Sequence, residues 1–144
     1  MRADTAKARE ILMSGGHTCV FCRGDEIISS DEKGLRPLLA RLDSRESLHG
    51  LCAADKVVGK APAMLYALLD VTEVYAPVMS REAARVFDER GIAHECDLLT
   101  DGIFNADKSD SCPMELAVRD AETPEDGLRQ IKAAIADMRR NRKN

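Results

Sequence analysis

Apolar positions along this chain switch between two periods. Ala6, Ala8, Ile11 and Leu12 recur at helical spacing within Ala3–Met13, and Ser14-Gly15-Gly16 ends that helix. His17–Cys22 and Glu26–Ser30 read as strands around a tight turn at Arg23-Gly24-Asp25, which predicts a hairpin. Leu35–Leu42 is helical, with Arg36 and Pro37 in its first turn. Leu51–Ala54 is apolar without alternation, the pattern of a central strand buried on both faces. A helix beginning near Gly59 or Lys60 follows, with Pro62 in its first turn, and ends near Asp70. Glu73–Met79 is the next strand. Ser80 then caps a helix that runs to Arg90 and stops at Gly91. Ile92–Asp97 is the last strand, and Leu98–Ser111 is a long polar loop. Cys112–Asp120 opens as a short helix. Thr123-Pro124-Glu125-Asp126 starts a final one with Leu128, Ile131, Ile135 and Met138 on one face.

A hairpin followed by strand–helix alternation implies right-handed crossovers and a mostly parallel sheet covered on both faces. The expected architecture is α/β: a three-layer α/β/α sandwich around a mixed five-stranded sheet, one domain over 1–144. Its N-terminal helix occupies 1–13, and its C-terminal helix occupies 124–144 with a frayed basic tail. A length of 144 residues suffices for one substantial core.

Composition narrows the functions. Hydrophobic residues make up 44% and charged residues 32%, as in a soluble globular domain. A net charge of −4 argues against binding a phosphate backbone. An aromatic share of 3% without Trp argues against base-stacking platforms, so no nucleic-acid partner is expected. No apolar run approaches the roughly 18 residues of a membrane span. Met1–Glu10 is charged rather than leader-like, and five cysteines is an odd count for a disulfide framework. A cytoplasmic location with reduced thiols and no membrane partner is the expectation.

Candidate chemistry centres on Asp55-Lys56-Val57-Val58-Gly59-Lys60. Charges at the carboxyl end of a central strand stand where open α/β sheets bind ligands. Gly59 lets the backbone turn sharply, and the first amides of the next helix, with Lys56 and Lys60 beside them, form an anion site. The stretch is not a P-loop, because Gly59-Lys60 is followed by Ala61 and lacks the upstream glycine. Cys112-Pro113-Met114-Glu115 has two readings. One is a capping box in which Glu115 reaches back to a free amide. The other is a helix-terminal thiol with a carboxylate one turn on. Cys19 and Cys22 form a CxxC spacing, but three residues along a strand they face opposite sides, and no second pair completes a zinc tetrahedron. His17, His49 and His94 are scattered, and no Ser-His-Asp grouping is suggested.

Ala54–Ala61 together with Cys112-Pro113-Met114-Glu115 resembles the family catalogued as domain of unknown function 1893. Gly34-Leu35-Arg36-Pro37-Leu38-Leu39 and Val74-Tyr75-Ala76 are similar to it too, and the resemblance runs from about Ser14 to the C-terminus. It implies a cytidine-deaminase-like fold with sheet order 2-1-3-4-5 and strand 1 antiparallel to the rest. Zinc deaminases carry H-x-E and P-C-x-x-C on two helices. Here the corresponding stretches read Gly34-Leu35-Arg36-Pro37 and Asp55-Lys56-Val57-Val58-Gly59-Lys60, without His or Cys ligands. The fold resemblance therefore carries no hydrolytic deamination with it.

The expected site is metal-free and without cofactor. Asp55, Lys56, Cys112 and Glu115 are the candidate catalytic residues, and Arg36, Lys60 and Gly59 are the candidate ligand contacts. The leading reading is a binding site for a small anionic, nucleotide-like molecule. One alternative is a metal-independent enzyme in which Asp55 or Glu115 handles protons and Cys112 is a nucleophile. Another is a non-catalytic homodimeric interaction domain joined through the C-terminal helix.

Overall fold

The computed structural model describes residues 1–103 and 112–143. Among the described residues, six strands and six helices follow one another as α1 (Ala3–Gly15), β1 (Cys19–Arg23), β2 (Glu26–Ser30), α2 (Arg36–Asp43), β3 (Cys52–Asp55), β4 (Val57–Val58), α3 (Lys60–Leu68), β5 (Glu73–Ser80), α4 (Arg81–Arg90), β6 (Ala93–Thr100), α5 (Pro113–Ala117) and α6 (Pro124–Lys143). They build a mixed sheet with helices on both faces.

β1 lies antiparallel between β2 and β3. β5 runs parallel to β3 on one side and to β6 on the other. The sheet has six strands rather than five because the central strand breaks. β3 pairs with β5 from Cys52↔Glu73 to Ala54↔Tyr75, the ladder lapses at Asp55 and Lys56, and β4 resumes it with Val57↔Val78 and Val58↔Met79. β6 is also longer than Ile92–Asp97. Leu98, Leu99 and Thr100 pair with Val78, Met79 and Ser80, so the start of the expected loop is strand. Residues 104–111 of that expected loop, with Asp107-Lys108-Ser109-Asp110, lie outside the described residues.

Period-two alternation divides the core between the two faces. Phe21, Ala53, Val74 and Ala76 join Leu38, Met64, Leu65, Tyr66, Phe87 and Ile131 in the larger cluster. Val20, Cys22, Ala54 and Tyr75 point the other way, where Ala8 and Leu12 of α1 cover them. Cys19 and Cys22 accordingly sit in different clusters, as strand geometry requires of residues three apart. The small face is closed at its rim by Arg9, whose guanidinium lies 4.9 Å from the centroid of the Tyr75 ring.

Local signals explain several boundaries. The Ser80 hydroxyl accepts from the Ala83 amide, and α4 ends at Gly91 with φ 68°, a conformation that suits glycine. α6 turns Leu128, Ile131 and Ile135 onto the larger cluster and packs against α3. Its apolar face is therefore used within the chain. Among the described residues, no helix is long and apolar enough to cross a membrane.

Candidate functional site

At the carboxyl end of β3 the chain surrounds a cavity of about 270 Å³. Its lining comes from five places. Thr18 and Cys19 enter from β1 and its approach, Lys33, Gly34, Leu35, Pro37 and Leu38 from the start of α2, and Asp55, Lys56 and Val57 from the strand break. Gly59 and Pro62 add the start of α3, and Ile103, Cys112, Met114 and Glu115 close the remaining side. Asp55 and Lys56 thus meet Cys112 and Glu115 across a separation of almost sixty residues.

Asp55 lies at the strand break. Its Oδ2 accepts from the Tyr66 hydroxyl at 2.8 Å, and the Val57 and Lys56 amides also turn toward its carboxyl. The Lys56 amide is shared with the Thr18 carbonyl, to which it donates at 3.3 Å. Burial nevertheless dominates and pushes the Asp55 pKa up to about 7 against the three donors that lower it. Tyr66 is buried too and is pushed well above its ordinary value, first by burial and then by the Asp55 charge. The Tyr66 ring stands edge-on to Phe21 with centroids 6.3 Å apart, which fixes the phenol against the carboxyl. Beside them, burial and then Asp55 raise the Cys19 thiol to about 12, so it stays protonated.

Glu115 takes a different position from the one a capping box would give. Its Oε1 accepts from the Lys60 amide at 2.7 Å and its Oε2 from the Ala61 amide at 2.9 Å. It therefore caps α3, not its own helix. The amide of Cys112, where a capping box would place that carboxylate, donates to the Ile103 carbonyl. The anion site expected at the start of α3 is thus filled by the chain's own carboxylate. Burial raises the Glu115 pKa, against the Ala61 and Lys60 amides that hold it down.

Gly59 adopts φ −94° and ψ −170°, an extended conformation open to any residue, so a sharp turn is not what it supplies. A Cβ there would lie 2.4 Å from Glu115 Oε1 and 2.7 Å from Oε2. The position needs glycine so that the carboxylate can reach the helix amides.

The other expected contacts separate. Lys56 is exposed at the cavity, where Lys33, absent from the expected set, joins it. Lys60 does not line the cavity, and its Nζ donates to the Arg119 carbonyl at 3.1 Å beyond the end of α5. Arg36 is exposed and also outside the lining. Cys112 lines the cavity as the residue preceding α5, with no side-chain hydrogen bond to that helix. Tyr66 carries no sequence signal of its own because it sits within an apolar run of α3, where an aromatic reads as core. Among the described residues, no group of three or more His, Cys, Asp or Glu is placed to hold a metal ion.

A mixed sheet wrapped by helices places the chain among α/β proteins, and its cavity lies at the carboxyl end of β3. Residues 7–135 match the model of a domain of unknown function, DUF1893, and the chain belongs to that family. Its structure is similar to the crystal structure of a DUF1893 family protein from Thermotoga maritima, with 23% sequence identity and a TM-score of 0.82. That likeness covers 95% of this chain and 92% of the other. No curated protein matches this sequence.

Proposed function

We propose that the cavity at the strand break binds a small anionic, nucleotide-like molecule. The observation that carries this reading is the pairing of an enclosed carboxyl with exposed ammonium groups around one small hollow. Asp55, held from behind by the buried Tyr66 hydroxyl, supplies a polar floor, Leu35, Pro37, Leu38, Val57 and Pro62 supply apolar walls, and Lys33 and Lys56 supply positive charge in solvent. Apolar walls with a few convergent polar groups are the usual make-up of a ligand site. Lysine recognises phosphate or carboxylate as a point charge. The α3 amides are not the anion's seat in this reading, because Glu115 holds them.

A second reading is favoured by Asp55 alone. A carboxyl that titrates near neutrality can take or give a proton at the pH of most cells, as a general acid–base group must. A metal-independent reaction would then use Asp55 with Tyr66, and Cys112 would face the same hollow.

The finer fold reading is a cytidine-deaminase-like sandwich. It is supported by the hairpin that precedes the strand–helix alternation, and by β1 lying antiparallel beside β3. A cytoplasmic setting is the proposed location.

Thermal-shift screening of nucleotides and small phosphates tests the binding reading. The expected result is a ligand that raises the melting temperature of the native chain and loses most of that effect with Lys56→Ala or Lys33→Ala. A ligand that stabilises all three alike would remove the lysines from the site, and the absence of any stabilising anion would overturn the reading.

A further inference from the structure

The structure assigns Cys22 and Cys52 as a modification site, which a small uncharged peroxide converts to a disulfide bridging β1 and β3 beneath α1. The inference is independent of the cavity and of its ligand. It rests on register. In the antiparallel ladder of β1 and β3, Cys22 is the direct partner of Cys52. Directly opposed residues project to the same face of a sheet. Their Cα atoms stand about 4.5–5.5 Å apart in such ladders, and disulfides span Cα separations of about 4.4–6.8 Å. No other pair among the five cysteines is opposed in the described strand pairs. Both thiols are free, and both are buried, at 0% and 2% exposure.

Burial selects the oxidant. Ala8 and Leu12 of α1 pack on the face that holds Cys22, and Lys7 of the same helix donates from Nζ to the Gly24 carbonyl at 2.9 Å. That cover leaves no surface on either thiol for a bulky charged disulfide such as glutathione disulfide, so the proposal takes the smallest uncharged oxidant, a peroxide, as its co-reactant. Burial raises both thiols first; at Cys22 Lys7 works against it while Asp4 and Cys52 add to it, and at Cys52 the Thr5 hydroxyl and Arg2 work against it while Glu73 and Asp4 add to it. The reaction is therefore slow near neutrality and faster in mildly alkaline buffer.

The steps balance with peroxide as the only co-reactant. One thiol loses its proton, and its sulfur attacks a peroxide oxygen. The O–O bond breaks and one water leaves, which leaves a sulfenic acid. The second thiol attacks that sulfur, an S–S bond forms, the S–O bond breaks, and a second water leaves. Two cysteines lose two electrons and two hydrogens in total, and one peroxide becomes two waters. A thiol reductant reverses the product.

The full chain is treated with hydrogen peroxide in mildly alkaline buffer, blocked with N-ethylmaleimide after unfolding, and mapped by non-reducing peptide mass spectrometry. The expected result is loss of two hydrogens from the intact mass before blocking and three blocked thiols after it, with one cross-linked peptide pair joining Cys22 to Cys52, reversed by dithiothreitol. Cys22→Ser and Cys52→Ser each abolish the cross-link. Cys96→Ser/Cys112→Ser, which leaves both partners in place, retains it, and so separates the site from any folding defect in the single variants. A parallel arm with glutathione disulfide is expected to leave both thiols unmodified over the same time. Cross-links through Cys19, Cys96 or Cys112, a glutathione adduct on Cys22 or Cys52, or five blocked thiols after peroxide would each overturn the proposal.

Discussion

Gly59 and Glu115 occupy each other's space: the hydrogen at one Cα position is what allows the carboxylate of the other to sit against the first amides of α3. Gly59→Ala meets no backbone penalty, since its φ is −94°. The added methyl instead displaces Glu115 and uncaps α3. A loss of about 1–2 kcal/mol is expected, the usual scale of a lost helix cap. Urea titration of Gly59→Ala, Glu115→Ala and the double variant checks it. The two losses should overlap, with the double variant milder than their sum. Full additivity would show that the two residues act separately.

Removing half of the clasp should cost less than removing all of it. Glu115→Gln keeps one carbonyl acceptor for the Lys60 or Ala61 amide, and Glu115→Ala keeps none. The expected order of stability is native, then Gln, then Ala, by about 1 kcal/mol per step. Equilibrium unfolding of the three proteins measures it, and an alanine variant as stable as the glutamine one contradicts it.

Asp55 makes stability fall as pH rises. Its pKa in the folded chain is about 7 against an ordinary 3.8, so folding favours the protonated carboxyl. The stability tied to that proton is present in full below about pH 4 and is lost as pH climbs through about 7. Its size is on the order of a few kcal/mol, because each tenfold gain in proton affinity on folding is worth about 1.4 kcal/mol. Stability measured from pH 5 to pH 8 should decline, and Asp55→Asn should flatten the decline. Tyr66→Phe removes a donor that favours the charged form, so it should move the midpoint of the decline to higher pH. A midpoint that moves down would mean the phenol acts otherwise.

Thiol accessibility separates the cysteines. Cys112 is half-buried on the cavity wall, and Cys52 is buried in the sheet with burial raising its pKa. Iodoacetamide should alkylate Cys112 well before Cys52 in the native protein, by at least about tenfold if burial governs the rate. Equal slow labelling would leave Cys112 without a reactive role. A ligand that fills the cavity should protect Cys112 specifically.

The C-terminal helix is part of the core. Ile131 is fully buried where α6 packs on α3, so Ile131→Ala should cost about 2–4 kcal/mol at any protein concentration. A loss that depends on concentration would instead place this residue in a subunit contact.

Most boundaries were legible because their causes are local. Ser80 caps the helix that follows it, and Gly91 ends that helix in the left-handed conformation. The hairpin follows from its turn at Gly24, and the α3 start at Lys60 from the first-turn Pro62. What escaped depends on distant partners. Val57-Val58 reads as part of a turn, and only the ladder with Val78 and Met79 makes it a strand. Glu115 lies three residues after Cys112, so capping chemistry points to its own helix. The tertiary fold offers it better-placed amides 55 positions upstream, and these win. Tyr66 shows no periodic anomaly within an apolar helix, and its hydroxyl acquires meaning only from the carboxyl at the end of β3. Lysines followed the same rule: Lys56 and Lys60 are four apart, yet the start of α3 sends one to the cavity and the other to a carbonyl after α5.

Among the described residues, α1 is the helix that shields the Val20, Cys22, Ala54 and Tyr75 side of the sheet. Shortening the chain from its beginning therefore does not trim an appendage. A protein started at Thr18 would present that bare apolar surface to water, and would be expected to clump with its neighbours during expression rather than run as a smaller version of itself.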